Sequence, residues 1–89
     1  MLQKGDILMT GKGISVVFYE VIRVMKRTLL IAELEQDFAT EDHGKHGWIW
    51  PKLSRKVYGS ARACRIRESG MIKIGVEFAY KWDGKPVAY

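Results

Sequence analysis

The 89-residue chain has little of several features that would point to a particular class of protein. Its single cysteine, Cys64, excludes an internal disulfide and fits a reducing compartment. No apolar run approaches the length of a transmembrane segment, since the best covers only residues 29–32. The first residues also lack the basic and then apolar pattern of a signal peptide. We therefore expect a cytoplasmic protein that makes no contact with a membrane.

Catalytic and metal-binding patterns are also scarce. Cys64 lies within a strand-like run, where a buried and inert thiol is a better interpretation than a nucleophile. The basic half of the chain has Glu68 as its only carboxylate, so it offers no carboxylate pair for acid–base chemistry. Residues 36–47 include acidic side chains with His43 and His46, but their spacing is not that of a zinc site. We therefore expect no enzymatic activity, no metal and no cofactor.

What the chain does have is a strongly uneven distribution of charge. The net charge is +5. Residues 1–42 hold five Lys and Arg against seven Asp and Glu, whereas residues 43–74 hold eight against one. The basic side chains of this second part lie between residues 45 and 73. Segregation of this kind creates a positive face that attracts polyanions or acidic protein surfaces.

Alternating apolar and β-branched residues indicate strands over most of the chain. The longest run, residues 14–25, is followed by a polar turn and a second run, residues 28–35, and together they predict a hairpin. Both faces of the first run hold apolar residues, so either both faces are partly covered or the strand contains a β-bulge. The second run places Leu30, Ala32 and Leu34 on an inward face.

The remaining runs bring the count to five or six short strands, with at most a short helical turn near Thr40 or Gly75. Residues 36–47 are polar and contain glycine, which predicts a long loop. We therefore predict an all-β fold, formed by residues 1–89 as one domain. The expected architecture is a small, strongly bent antiparallel barrel, SH3-like or OB-like.

The clearest alternation lies near the end of the chain. Val76, Phe78, Tyr80 and Trp82 share one face of a predicted strand, and a turn at Asp83 follows. A row of aromatic rings can form a platform for a ligand or the inner wall of a barrel. Because a chain of this length has few core residues, we favour the inner wall.

Several short motifs resemble those of an uncharacterised family of small proteins from bacteriophages and other mobile elements. The motifs are Gly5-Asp6-Ile7, Phe18-Tyr19-x-Val21, Trp50-Pro51 and, most specifically, Ala79-Tyr80-x-Trp82-Asp83-Gly84-Lys85-Pro86. The chain differs from the family at residues 9–14, where such proteins often have a Trp-Gly-Tyr-Asp-type stretch. The resemblance implies a mobile-element origin and a compact β fold, and it brings no established activity.

The basic segment leads first to the hypothesis of nucleic-acid binding, in which cations hold the phosphates and aromatic rings stack on bases. The residues predicted to do this are Trp48, Trp50, Lys52, Arg55 and Lys56, with Arg65 and Arg67 on the face of a neighbouring strand. Two other interpretations remain open. The tryptophans can pack in the core or as a lid, and the cations can form a solvated surface.

The second hypothesis is a protein-interaction module. A small phage or mobile-element protein of this kind would inhibit or redirect a host protein complex, with its basic surface placed against an acidic surface of the host protein. The edge strands of a small barrel also allow self-association, so a homodimer is a further expectation.

Overall fold

The computed structural model describes residues 2–41 and 45–89, with the backbone alone at Ser54. Within these residues it contains eight strands and a turn of 3₁₀-helix at Gly13–Ser15. The strands are β1 (Ile7–Thr10), β2 (Val17–Val24), β3 (Thr28–Glu41), β4 (His46–Lys56), β5 (Arg62–Arg65), β6 (Ile72–Ile74), β7 (Glu77–Lys81) and β8 (Val87–Ala88). The all-β prediction is confirmed, whereas five or six strands were too few. The helical turn lies in the first glycine-containing connection instead of near Thr40 or Gly75.

Six of the strands form a strongly curled antiparallel circuit. β1 pairs with β2, β2 with β3, and β3 with β5, while on its other edge β1 pairs with β7 and β7 with β6. A bridge between Ile66 and Ile72 connects β5 to β6, and beside it the Arg67 N–H donates a hydrogen bond of 2.9 Å to the Met71 carbonyl. The circuit is the small, bent antiparallel barrel that the sequence predicted.

Apolar side chains fill the interior of the barrel. Its buried members are Leu8, Val21, Leu29, Ile31, Cys64, Ile72 and Ile74. The alternation predicted for β5 is confirmed, because Cys64 is 7% exposed whereas its neighbour Arg65 is exposed. Cys64 therefore belongs to the core, as the strand pattern indicated.

A second apolar cluster lies on the outer surface of the barrel. β3 continues beyond its barrel pairings and pairs with β4, which in turn pairs with β8. We call residues 34–41 of β3, together with β4 and β8, the arm. The buried side chains between the arm and the barrel are Val16, Phe18, Leu34 and Ile49.

The two clusters correct the prediction of a single inward face for β3. Leu29 and Ile31 face the barrel interior, whereas Leu34, which was predicted to point inward, belongs to the second cluster. β2 behaves in the same way, because its two faces contribute Phe18 to one cluster and Val21 to the other. The register of β2 with β3 also shifts between Val21 and Arg23, so the covered faces and the predicted β-bulge are both present.

Residues 36–47 are mostly strand, which corrects the prediction of a long loop. β3 extends to residue 41 and β4 begins at residue 46. Asp37 pairs with Trp50 and Ala39 with Trp48. These cross-strand pairs with large aromatic residues offset the low strand propensity of the polar residues. The predicted loop residues 42–44 lie outside the described residues.

The aromatic row of the closing strand does not form the inner wall. Residues that pair directly across two strands share a face of the sheet. Ile72, which is buried in the barrel, pairs with Ala79, and Lys73 pairs with Phe78. Ala79 therefore faces the interior, while Phe78 and Tyr80 lie on the outer surface and are 37% and 66% exposed. The register with β6 decides which face of β7 is inside.

Candidate nucleic-acid interface

The structure divides the predicted site residues between two places. Five of them belong to β4 on the arm, namely Trp48, Trp50, Lys52, Arg55 and Lys56. Arg65 ends β5, and Arg67 follows it. Lys56 pairs with Leu34 of β3, whereas Arg65 pairs with Thr28. Leu34 and Thr28 are six residues apart along β3, which corresponds to about 20 Å of extended chain. The predicted site is therefore not one surface.

The two tryptophans of the arm have an acidic neighbour. As the alternation predicted, Ile49 is buried while Trp48 and Trp50 share the opposite face. Trp48 is 36% exposed, Trp50 is half-buried, and neither belongs to the two apolar clusters. Trp50 pairs across the sheet with Asp37, whose carboxylate repels phosphate. This face of the arm is poorly suited to a polyanion.

Two of the three predicted cations on β4 are already neutralised. Arg55 Nε lies 3.0 Å from Glu35 Oε2, and Lys56 Nζ lies 3.5 Å from Glu20 Oε2. Exposed pairs of this kind contribute little to stability, but they lower the positive potential around the arm. Lys52 is half-buried at the point where the pairing between β3 and β4 becomes irregular.

A denser group of cations lies at the other end of the barrel. The turn between β2 and β3 carries Lys26 and Arg27, and it is held against the end of β5. The Ile66 N–H donates a hydrogen bond of 2.9 Å to the Arg27 carbonyl, next to the pairing of β3 with β5. This contact places a turn from the acidic half of the sequence beside Arg65 and Arg67 of the basic half.

These elements enclose a groove of about 950 Å³. Its lining residues are Lys26, Arg27, Arg65, Ile66, Arg67, Glu68, Ser69 and Gly70. We call it the cationic groove. Four of its side chains are positively charged and Glu68 is the only carboxylate that lines it.

The cations of the groove are exposed and uncompensated. Within the described part of the chain, none of the four forms an ion pair with a carboxylate. This contrasts with Arg55 and Lys56 on the arm, each of which has a glutamate. Because like charges that face one another across a groove raise its potential, this end of the barrel is the strongest candidate for an anion site.

An aromatic surface adjoins the groove. Arg67 and Lys73 lie over the ring of Phe78, with the guanidinium carbon at 5.9 Å and the ammonium nitrogen at 5.8 Å from its centroid. Phe78 and Tyr80 also line a smaller cleft of about 310 Å³ beside β7. Gly70 lines both the cleft and the cationic groove, so the two lie next to each other.

Sequence reasoning missed half of the groove. Lys26 and Arg27 were interpreted only as a polar hairpin turn, and they lie in the half of the chain that is acidic by count. The signal that was present is the basic pair at the tip of a predicted hairpin. The pairing of β3 with β5 brings that tip to residues 65–67. The alternation of residues along a single strand does not show which strands pair.

Two titratable groups that pack in the barrel, Cys64 and Tyr19, have pKa values above their ordinary ones. Burial raises the pKa of the Cys64 thiol above its ordinary value, and the charge of Arg62 opposes this only in part. Burial and the charge of Glu33 likewise raise the pKa of Tyr19. A thiol with a raised pKa is a poor nucleophile near neutral pH.

The described residues contain no cluster of three or more His, Cys, Asp or Glu side chains arranged to hold a metal ion. Of the histidines considered at the sequence level, His43 lies outside the described residues. Among the residues the structure describes, no helix has the length and apolar character needed to cross a membrane.

Comparison with known proteins gives no relative from which to argue. No protein-family model, curated protein or solved structure matches the chain. The resemblance to the mobile-element family therefore stays a hypothesis, and function has to be argued from the surface of the barrel.

Proposed function

We propose that the protein is a non-enzymatic module that binds nucleic acid through the cationic groove. The observation that supports this is the convergence of four cations, from two separate parts of the sequence, on one groove. Among the described residues, none of the four pairs with a carboxylate and a single carboxylate lines the groove. A phosphate backbone is the abundant polyanion that such a groove attracts. The proposed setting is the reducing cytoplasm, where the free thiol of Cys64 is stable.

The proposed site differs from the one that the basic segment predicted. Arg65 and Arg67 are retained, and Lys26 and Arg27 join them. The residues of the arm are left out, because Asp37 lies beside the tryptophans and Arg55 is ion-paired.

The number of cations sets the expected dependence on salt. For single-stranded nucleic acid, each neutralised phosphate contributes about −0.7 to the slope of log K against log salt concentration. Four contacts therefore predict a slope of about −2.8. Raising salt from about 50 to about 200 mM should weaken binding about 50-fold. A flat response would remove the groove as a phosphate site.

The decisive experiment is fluorescence anisotropy with labelled oligonucleotides and three charge-reversal variants. Arg27→Glu combined with Arg65→Glu should abolish binding, or reduce the slope to about −1.4 where binding remains measurable. Lys4→Glu combined with Lys85→Glu makes the same change in net charge at exposed positions outside the groove and should bind almost normally. Circular dichroism on each variant checks that the barrel is intact.

The third variant tests the arm directly. Lys52→Glu combined with Arg55→Glu changes the cations that the sequence first indicated, and we expect only a small loss of affinity. If this variant loses binding while the groove variant keeps it, the site lies on the arm and the proposal is wrong.

A protein-interaction function is favoured by one observation on the arm. Phe38 and Leu53 are 65% and 61% exposed there, although both are large apolar residues. A pull-down from host lysate with and without nuclease separates the two functions. A protein retained after nuclease treatment and lost with Phe38→Ser would support this second function, whereas loss of all bound material with nuclease supports nucleic acid.

A further inference from the structure

We propose that the nucleic acid bound by this barrel is single-stranded, and that its bases stack on Phe78 and Tyr80 of β7. This inference rests on the proposed function, because it assigns the bases of a strand whose phosphates occupy the cationic groove. It adds a second kind of contact, which charge alone does not supply.

The placement of the two rings favours stacking. Phe78 and Tyr80 are two residues apart on the outer face of one strand, so their side chains are about 7 Å apart along it. Tyr80 is 66% exposed, and no ring or hydrogen-bond contact holds its side chain within the described residues. Tyr80 therefore offers an open ring to an unpaired base, and the Phe78 ring, which is 37% exposed and has Arg67 and Lys73 over it, offers its exposed part to the next base.

The charged and the aromatic surfaces lie next to each other. Arg67 lines the cationic groove and also lies 5.9 Å from the centroid of the Phe78 ring. Lys73 lies over the same ring, so a phosphate held here has a ring beside it. Gly70, which lines both the groove and the 310 Å³ cleft, has no side chain to divide them. The cations and the rings therefore lie close enough together for one strand to contact both.

Exposed rings beside cations favour a single strand over a duplex and over other polyanions. The bases of a duplex are stacked inside it, so rings that lie on the surface of a sheet cannot reach their faces. A sulfated polysaccharide has charge but no planar bases. The combination of cations with an exposed aromatic pair fits a ligand that has both phosphates and accessible bases.

The test compares a labelled single-stranded DNA oligonucleotide, its duplex and heparin on the full chain. Tyr80→Leu and Phe78→Leu keep an apolar side chain and remove the ring. Stacking on a ring typically changes the affinity for a base by about 5-fold to 150-fold. We expect each variant to weaken single-strand binding at least about fivefold, with an unchanged salt slope and with unchanged binding of heparin. Tyr58→Leu, which removes a fully exposed tyrosine from another turn, should bind normally.

The outcomes separate this inference from the proposed function. If single-strand affinity is unchanged in Tyr80→Leu, or if the duplex binds as tightly as the single strand, the stacking inference is wrong while a salt-dependent groove survives. If Arg27→Glu with Arg65→Glu has no effect, the proposed function fails as well. If Phe78→Leu does not fold, Tyr80→Leu alone tests the stacking inference, because the Tyr80 ring is mostly in solvent and the barrel does not depend on it.

Discussion

Replacing Trp82 with alanine tests how the arm is attached to the barrel. Trp82 lies just after β7, is half-buried, and packs against the cluster between the arm and the barrel. Its ring meets the ring of Phe18 edge to face, with centroids 5.8 Å apart and planes at 75°. Its indole N–H donates a hydrogen bond of 2.7 Å to the carbonyl of Lys85, across the turn that leads to β8. The side chain thus connects β7, β2 and the approach to the arm.

The magnitude follows from these contacts. A fully buried aromatic residue costs about 3–5 kcal/mol when it is cut back to alanine, so a half-buried one costs about 2 kcal/mol. Losing the edge-to-face pair with Phe18 adds about 1 kcal/mol. We therefore expect Trp82→Ala to lower the free energy of unfolding by about 3 kcal/mol. For a chain of this size that corresponds to a fall in Tm of about 15 °C.

Urea denaturation and thermal melting followed by circular dichroism measure this effect. Trp82→Phe is the matched control, because it keeps an aromatic ring beside Phe18 while it loses the N–H donor to Lys85 and the second ring of the indole. It should cost about 1 kcal/mol. If Trp82→Ala unfolds within about 0.5 kcal/mol of the unmodified protein, or if the alanine and phenylalanine variants are equal, the packing of Trp82 does not hold the arm in place.

Two further predictions concern the arm and the barrel interior. In Gly47→Ala the new Cβ would lie 2.7 Å from the Ala39 carbonyl oxygen and would also meet the Tyr89 ring, so we expect a loss of about 1–3 kcal/mol, measured by urea denaturation. The raised pKa of Cys64 predicts that stability falls as pH rises above about 9, because the unfolded chain releases the thiol proton at its ordinary pKa of 9.0 while the folded chain retains it. The pKa of Tyr19 is also raised, so the loss of stability continues as pH rises above the ordinary tyrosine pKa of 10.0. Urea midpoints from pH 7 to 10.5 should show this decline, Cys64→Ala should remove its first part, and a flat profile in the unmodified protein would contradict the burial of the thiol.

Much of the fold follows from local pattern. Alternation identified the β2–β3 hairpin and the burial of Cys64 beside an exposed Arg65, since each depends on neighbours along one strand. It left a bulge in β2 as one of two alternatives. The candidate site was recovered only in part for the same reason. Arg65 and Arg67 lie in the basic segment and were predicted, whereas Lys26 and Arg27 enter through a pairing with a strand that lies more than thirty residues away in the sequence.

The sequence pattern gave wrong predictions where the neighbouring residues along the chain fitted two different structures equally well. The strand from residue 76 onward has apolar residues on one face, and nothing in that stretch shows whether the face is inside or outside. Residues 36–41 are a second example. Their polar side chains fit a loop or an exposed strand, and in the structure they pair along their length with β4. In both places the deciding contacts come from another strand.

The sequence by itself determined that this chain is a small, bent all-β protein, because period-two alternation and β-branched residues act over a few neighbours. It also determined that the positive charge is concentrated in one segment. Only the tertiary structure decided which charges act together, because Glu35 and Glu20 neutralise Arg55 and Lys56 of the arm while no described carboxylate pairs with the cations of the groove. It also placed Phe78 and Tyr80 outside, since the pairing of Ile72 with Ala79 fixes the register and leaves the alternate residues of β7 to the solvent.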